Sequence, residues 1–202
     1  DKIYEMSQGK FPDADIMKIK IHTFHAFAND YLTDAGLVSG EIVGNNLLRY
    51  SVLQSFIDNK ALTYGKSYII QTIMPKVETA IRYIKNFGIT PDKIDLNKTA
   101  KAIEVLHKPT PAYSKADMKA FLKYFVDAYK HYEDSKTDVI DYSDMLLIFI
   151  EKFQGEKYQH VLVDEMQDMN EIEAQIVEMV SENLFLVGDA KQAIFGFQGG
   201  SI

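Results

Sequence analysis

Cysteine is absent from all 202 positions of this chain. Disulfides are therefore excluded, along with thiolate-ligated zinc and thiol redox chemistry, and a reducing, intracellular setting is expected. Long apolar runs are missing as well. No uninterrupted stretch approaches the roughly 20 residues of a membrane helix, and the opening Asp1-Lys2-Ile3-Tyr4-Glu5 is not a signal peptide. A soluble, cytoplasmic protein with no membrane partner is the expectation. What is present is 47% hydrophobic content with 12 Tyr and 12 Phe, enough to bury one core or two small ones.

The net charge of −7 argues, taken whole, against a nucleic-acid partner, but the charge is unevenly spread. Residues 1–45 carry 4 basic and 7 acidic side chains, residues 46–130 carry 14 and 7, and residues 131–202 carry 4 and 15. A basic middle suits phosphate contacts. An acidic end can hold a divalent metal or present a solvated helix face.

Hydrophobic periodicity divides the chain in the same way. Lys18-Ile19-Lys20-Ile21-His22-Thr23 alternates apolar and polar, as a strand does, and Phe24, Phe27, Ala28, Tyr31 and Leu32 then recur at helical spacing. From about residue 46 to 135 the pattern is helical. Pro75 is placed to open a helix that Gly88 closes, and Met118, Phe121, Leu122, Phe125, Tyr129 and Tyr132 form one stripe behind a Ser114 cap. The chain must turn around Lys108-Pro109-Thr110-Pro111. Beyond residue 157, Val161-Leu162-Val163 and Leu184-Phe185-Leu186-Val187 read as strands of a buried parallel sheet, with an amphipathic helix between them. Asp168 and Glu171 have the spacing of a capping box for that helix.

In an open parallel sheet, ligands bind outside the carboxyl ends of the strands, so the polar residues that follow each apolar run are the candidates for chemistry. The first cluster is Asp164-Glu165-Met166-Gln167-Asp168. By the two-residue period of a strand, the adjacent carboxylates Asp164 and Glu165 diverge. Asp164 would hold Mg²⁺ through a coordinated water, and Glu165 would orient and deprotonate the water attacking a γ-phosphate. A strand followed by an acidic helix cap has the same pattern. The second cluster runs Gly188-Asp189-Ala190-Lys191-Gln192-Ala193-Ile194-Phe195-Gly196-Phe197-Gln198-Gly199-Gly200.

Together these clusters resemble two signature motifs of the UvrD/Rep/PcrA-like superfamily 1 DNA helicases, D-E-x-Q-D and G-D-x-x-Q-S-I-Y-x-[FW]-R-G-A. His22-Thr23-Phe24-His25-Ala26-Phe27 is similar to the family's T-F-H-x-F segment, and Asp141-Tyr142-Ser143-Asp144-Met145-Leu146 to its D-[FY]-x-D-[LM]-L. All four occur in family order and span most of the chain, although the helical middle matches in position only. The resemblance implies ATP and Mg²⁺ as cofactors and single-stranded DNA and a duplex junction as partners. It implies hydrolytic roles for Asp164 and Glu165 and places Gln192 near the γ-phosphate, a position suited to an amide that both donates and accepts. Phe195 and Phe197 would stack on DNA bases, and Thr23 and His25 would contact the strand's backbone; either Phe can instead fill a core, and His25 can instead cap or pack. Gln198 stands where the family usually has Arg, and Gly200 where it has Ala.

A phosphate-binding loop of the form G-x-x-x-x-G-K-[ST] is missing. Gly65-Lys66-Ser67 is the nearest approach, but Lys60 occupies the first glycine position and the preceding segment reads as helix. His22 and His25 lack the second ligand pair that zinc requires. The fold expected from the resemblance is α/β and helix-rich: a partial RecA-like parallel-sheet motor domain in two parts, residues 1–45 and 138–202, with an all-helical subdomain, residues 46–137, inserted. The expected function is that of part of an ATP-dependent DNA helicase moving 3′ to 5′ on single-stranded DNA, with the piece alone inactive and Lys115, Lys119 and Lys123 facing DNA. A non-hydrolysing, helicase-like DNA-binding scaffold and the helicase part of a helicase–nuclease are the alternatives.

Overall fold

The computed structural model describes residues 5, 10, 18–37, 41–42, 45–58, 65–106, 114–137 and 139–189. Helix α1 (Phe24–Asp34) leads to a two-residue strand β1 (Glu41–Ile42) and helix α2 (Asn45–Asp58). A helical turn, Lys66–Tyr68, passes through a π-helical turn, Ile69–Ile73, into α3 (Met74–Lys85). Helices α4 (Leu96–Leu106) and α5 (Lys115–Asp134) follow, then β2 (Val139–Ile140) and α6 (Tyr142–Lys152). The chain ends, within the described residues, as β3 (Tyr158–Val163), α7 (Glu171–Val180) and β4 (Ser181–Leu186). The architecture is helix-rich with small parallel pairings: β1 with β2, and β3 with β4 in the register Val161↔Leu184 and Val163↔Leu186. No helix among the described residues is long and apolar enough to cross a membrane.

Two cores form. The first joins Leu48, Val52 and Phe56 of α2, Met74, Val77 and Ile81 of α3, and Tyr124, Ala128, Tyr129 and Tyr132 of α5. The α2 residues recur every four positions, so they share one helix face. Tyr124 is completely buried, and its hydroxyl donates to the Val52 carbonyl at 3.1 Å. The second core joins Ala28 and Leu32 of α1, Met145, Leu146 and Phe149 of α6, and Ile172, Ile176 and Val180 of α7. Phe149 stands at its centre, with ring centroids 5.4 Å from Phe27 and 5.2 Å from Tyr31. These tilted geometries suit aromatic quadrupoles.

Local signals explain most boundaries. Pro75 lies in the first turn of α3, where its missing N–H is harmless. Beyond that helix's end Gly88 takes φ +65°, and the backbone N–H groups of Gly88 and Ile89 close on the carbonyls of Lys85 and Ile84. Ser114 caps α5 in a reciprocal box with Asp117.

Three expectations need correction. Lys18–Thr23 is not a strand, because none of these residues has a strand partner among the described residues, and Ile19 and Ile21 stay exposed. The cap of α7 is Asn170, boxed with Glu173; the chain between Met166 and Asp168 is a 3₁₀ turn, which moves the helix start beyond Asp168. The β3–β4 sheet is not buried on both faces: Leu162 is 74% and Phe185 54% exposed, since the second core covers one side only. The turn expected at 108–111 lies outside the described residues.

A buried ionic group lies where the two cores meet. Lys85, from the last turn of α3, and Lys136, just beyond α5, are withdrawn from water. Lys85 Nζ lies 3.0 Å from Glu133, 2.5 Å from Asp141 and 2.6 Å from Asp144, and Lys136 Nζ lies 2.8 Å from Glu133 and 2.5 Å from Asp144. Tyr132 donates its hydroxyl to Asp141. Burial alone would lower the Lys85 pKa, but Asp141, Asp144 and Glu133 together outweigh it and hold the ammonium above the ordinary lysine range. The three carboxylates have the spacing of a cation site, and the two ammonium groups supply that positive charge. Asp141 and Asp144 also cap α6, so the D-Y-S-D pattern has both a local and a long-range purpose.

Candidate active site

Strand β3 ends at Val163, and the chain then makes a sharp departure. Asp164 turns its carboxylate back to accept the Glu165 N–H at 2.9 Å through Oδ1. Its Oδ2 accepts no hydrogen bond among the described residues, and the side chain is exposed. Glu165 takes φ 53°, ψ 43°, the left-handed region. Among the described residues it is the one non-glycine with positive φ. For a residue with a Cβ this costs about 1–2 kcal/mol. The conformation is held from both sides: Met166 N–H donates to the Val187 carbonyl at 3.0 Å, and Asp168 N–H to the Glu165 carbonyl at 3.0 Å. The divergence of Asp164 and Glu165 thus comes from this left-handed kink. The two-residue strand period expected to separate them has already ended.

The exit of β4 closes against the same turn. Val187 N–H continues the sheet to the Val163 carbonyl at 2.8 Å. Gln167, 95% buried, donates its amide to Glu165 Oε2 and accepts the Asp189 N–H on Oε1 at 3.0 Å. A Cβ on Gly188 would collide with Gln167 Oε1 and lie 2.6 Å from Met166 Cγ and 2.9 Å from Met166 N. Only glycine fits that position. Asp168 Oδ1 is buried without a hydrogen-bond partner among the described residues.

Thr23 and His25 lie elsewhere. Thr23 caps α1, accepting the Ala26 N–H at 3.2 Å, and its exposed hydroxyl retains a proton to donate. His25 packs edge-on against Tyr142 at 5.3 Å. Burial pushes the His25 imidazole below its ordinary pKa, with partial relief from a hydrogen bond to the Tyr142 backbone, so it is a neutral group at pH 7. Among the described residues, no hydrogen bond, ion pair or ring contact joins Thr23 or His25 to Asp164 or Glu165. Gln192, Phe195 and Phe197, together with Gln198 and Gly200, lie outside the described residues. On the basic helices, Lys119 and Lys123 are exposed, while Lys115 is paired with Glu104 at 2.8 Å.

Sequence reasoning left Gln167 and Gly188 without roles. The signal for Gly188 was its place directly after an apolar strand. For Gln167 it was the fixed spacing from the carboxylate pair.

Comparison with known proteins agrees with this arrangement. Residues 2–202 match the family described as UvrD/REP helicase N-terminal domain. A probable DNA helicase II homolog of Mycoplasma genitalium is 25% identical over 198 residues, covering 90% of this chain and 26% of that protein. The ATP-dependent DNA helicase PcrA of Leuconostoc citreum is 26% identical over 163 residues, 72% of this chain and 22% of its own length. An ATP-dependent helicase/nuclease of Clostridium botulinum is 27% identical over 179 residues, 76% of this chain and 13% of that protein. The chain therefore spans about a quarter or less of the length of these relatives.

Proposed function

The chain belongs to the UvrD/REP helicase N-terminal domain family, and from that premise we propose that it supplies the acidic half of the ATP site of a DNA helicase. The observation that carries this reading is the kinked exit of β3, which presents Asp164 and Glu165 in different directions at the carboxyl end of a parallel pair.

Mg²⁺ suits the residues present: Asp164 offers an exposed carboxylate oxygen, a hard donor of the kind the ion prefers, and would hold it through water. Bound there, the ion would neutralise charge on the phosphates of ATP. Glu165 would orient the attacking water and accept its proton. Gln192 would sit at the γ-phosphate, Phe195 and Phe197 would stack on single-stranded DNA, and Thr23 and His25 would donate to its backbone. The neutral state of His25 suits a donor rather than a fixed cation.

Residues 1–45 and 138–202 would form two parts of a RecA-like motor domain, with the helical residues 46–137 inserted near a duplex junction. The two separate cores support that division. The motor would run 3′ to 5′, in the cytoplasm. No G-x-x-x-x-G-K-[ST] occurs in the 202 residues, so a phosphate-binding loop must come from another segment and the chain alone is expected not to hydrolyse ATP. A helicase–nuclease is the second reading, favoured by the match to the helicase/nuclease relative.

In the complete protein, Glu165→Gln is expected to lower DNA-stimulated ATP hydrolysis about 10²–10⁴-fold with nucleotide binding retained. Turnover equal to wild type would sink the reading, as would ATP hydrolysis by the 202-residue chain alone.

A further inference from the structure

We infer that Gln167 is a positioning residue for hydrolysis, holding Glu165 Oε2 and the Asp189 backbone in one buried amide so that the water-activating carboxylate and the exit of β4 move together. This rests on the helicase reading of Glu165.

The amide has a fixed polarity. Its N–H₂ end must face Glu165, because a carboxylate can only accept, and its carbonyl end must face Asp189, because a backbone N–H can only donate. Reversing it would break both bonds. The amide is 95% buried, so water offers little substitute for either partner. Gly188 lets the β4 exit approach closely enough for the second bond to form. Bonding at Oε2 leaves Glu165 Oε1 as the oxygen open to solvent, and so as the one able to take a proton from water. The left-handed backbone of Glu165 is an energetic cost, and such strain persists where neighbouring groups over-determine the position. Gln167 is one of those groups. The second cluster, with Gln192, follows directly after Asp189 in the chain, so a displacement of that segment would reach Glu165 through a single side chain.

Three variants of the complete helicase test this. Gln167→Ala is expected to lower kcat for ATP about 10–100-fold, the usual cost of losing a group that orients a catalytic one, with KM for ATP little changed. Gln167→Asn, one methylene shorter, should fail to rescue. Gln167→Glu sets an acceptor against an acceptor at neutral pH. Its kcat relative to wild type should rise as pH falls and the introduced acid protonates, regaining a donor for Glu165. In the 202-residue chain, hydrogen exchange at the Asp189 amide should quicken at least 10-fold in Gln167→Ala. A Gln167→Glu variant whose deficit is the same at every pH, or a Gln167→Ala variant with unchanged kcat, would overturn the assignment, as would unchanged Asp189 exchange. Should Glu165→Gln itself leave turnover intact, the helicase reading of Glu165 fails, and this assignment fails with it. The Asp189 exchange result stands apart from that outcome and reports whether the amide link exists.

Discussion

Lys85 Nζ and Asp141 Oδ2 lie 2.5 Å apart, both side chains largely withdrawn from water, although 56 positions separate them in the chain. The pair joins the end of a helix in the first core to the cap of a helix in the second.

Removing one partner of such a group strands the other charges. Lys85→Met is expected to destabilise the chain by about 3–5 kcal/mol, measured by urea unfolding, because three carboxylates would then share Lys136 alone. The pH dependence has a definite sign. Burial would raise the Asp141 carboxyl, but Lys85 and Lys136 outweigh it and hold the group down at about 2, so its contribution is present above the unfolded value of about 3.9 and is lost as pH falls through about 2. The Lys85 contribution is present below about 10.4 and is lost only as pH rises beyond its raised value. Unfolding curves of wild type should therefore steepen in acid below about pH 4, and Lys85→Met should flatten that limb.

Glu165 holds a conformation that glycine tolerates without penalty. Glu165→Gly is expected to raise the stability of the chain by about 0.5–1 kcal/mol while abolishing hydrolysis in the complete protein. Glu165→Ala should give no such gain. Equal denaturation midpoints for the Gly and Ala variants would show that the left-handed turn carries no strain.

Gly188→Ala forces a methyl group against Gln167 and Met166, and a loss of about 1–3 kcal/mol is expected. Adding Gln167→Ala removes the nearest clash but leaves the Met166 backbone 2.9 Å away. The double variant should consequently recover only part of the loss that Gly188→Ala causes, as a double-mutant cycle of unfolding free energies would reveal.

The DNA-facing role proposed for the basic helices is best tested at Lys119 and Lys123. Reversing both is expected to weaken single-stranded DNA binding by the complete protein and to reduce the slope of log affinity against log salt by about 1 for each phosphate no longer engaged. Lys115 is a poorer target, since its ion pair with Glu104 confuses weakened binding with altered helix packing. Unchanged affinity in low salt would remove this face from the DNA path.

Elements whose signals are local were legible in the sequence. The α5 stripe repeats every three to four residues behind its cap, and β3 and β4 are short apolar runs between turns, so period and punctuation sufficed. Lys18–Thr23 alternates like a strand, yet alternation cannot by itself supply a neighbour to pair with. Tyr124 fell outside the expected stripe because its burial depends on the Val52 carbonyl, 72 positions away. The carboxylate pair was visible from its place after β3. The left-handed turn that aims it was not, since Glu165 is held there partly by a hydrogen bond from Met166 to Val187, on the far side of α7. Gln167 was hidden for the same reason: its partner Asp189 lies 22 positions downstream.

The uncovered side of the β3–β4 pair has a practical consequence for handling the chain by itself. Leu162, Phe185 and Val187 present greasy surface beside unsatisfied strand edges, the combination through which copies of a protein adhere to one another. Purified alone, the chain will lose monomer to self-association as concentration rises, and light scattering will register this before any loss of helix content. Lysine at Leu162, the most exposed of these residues, should keep it in solution while leaving both interiors intact.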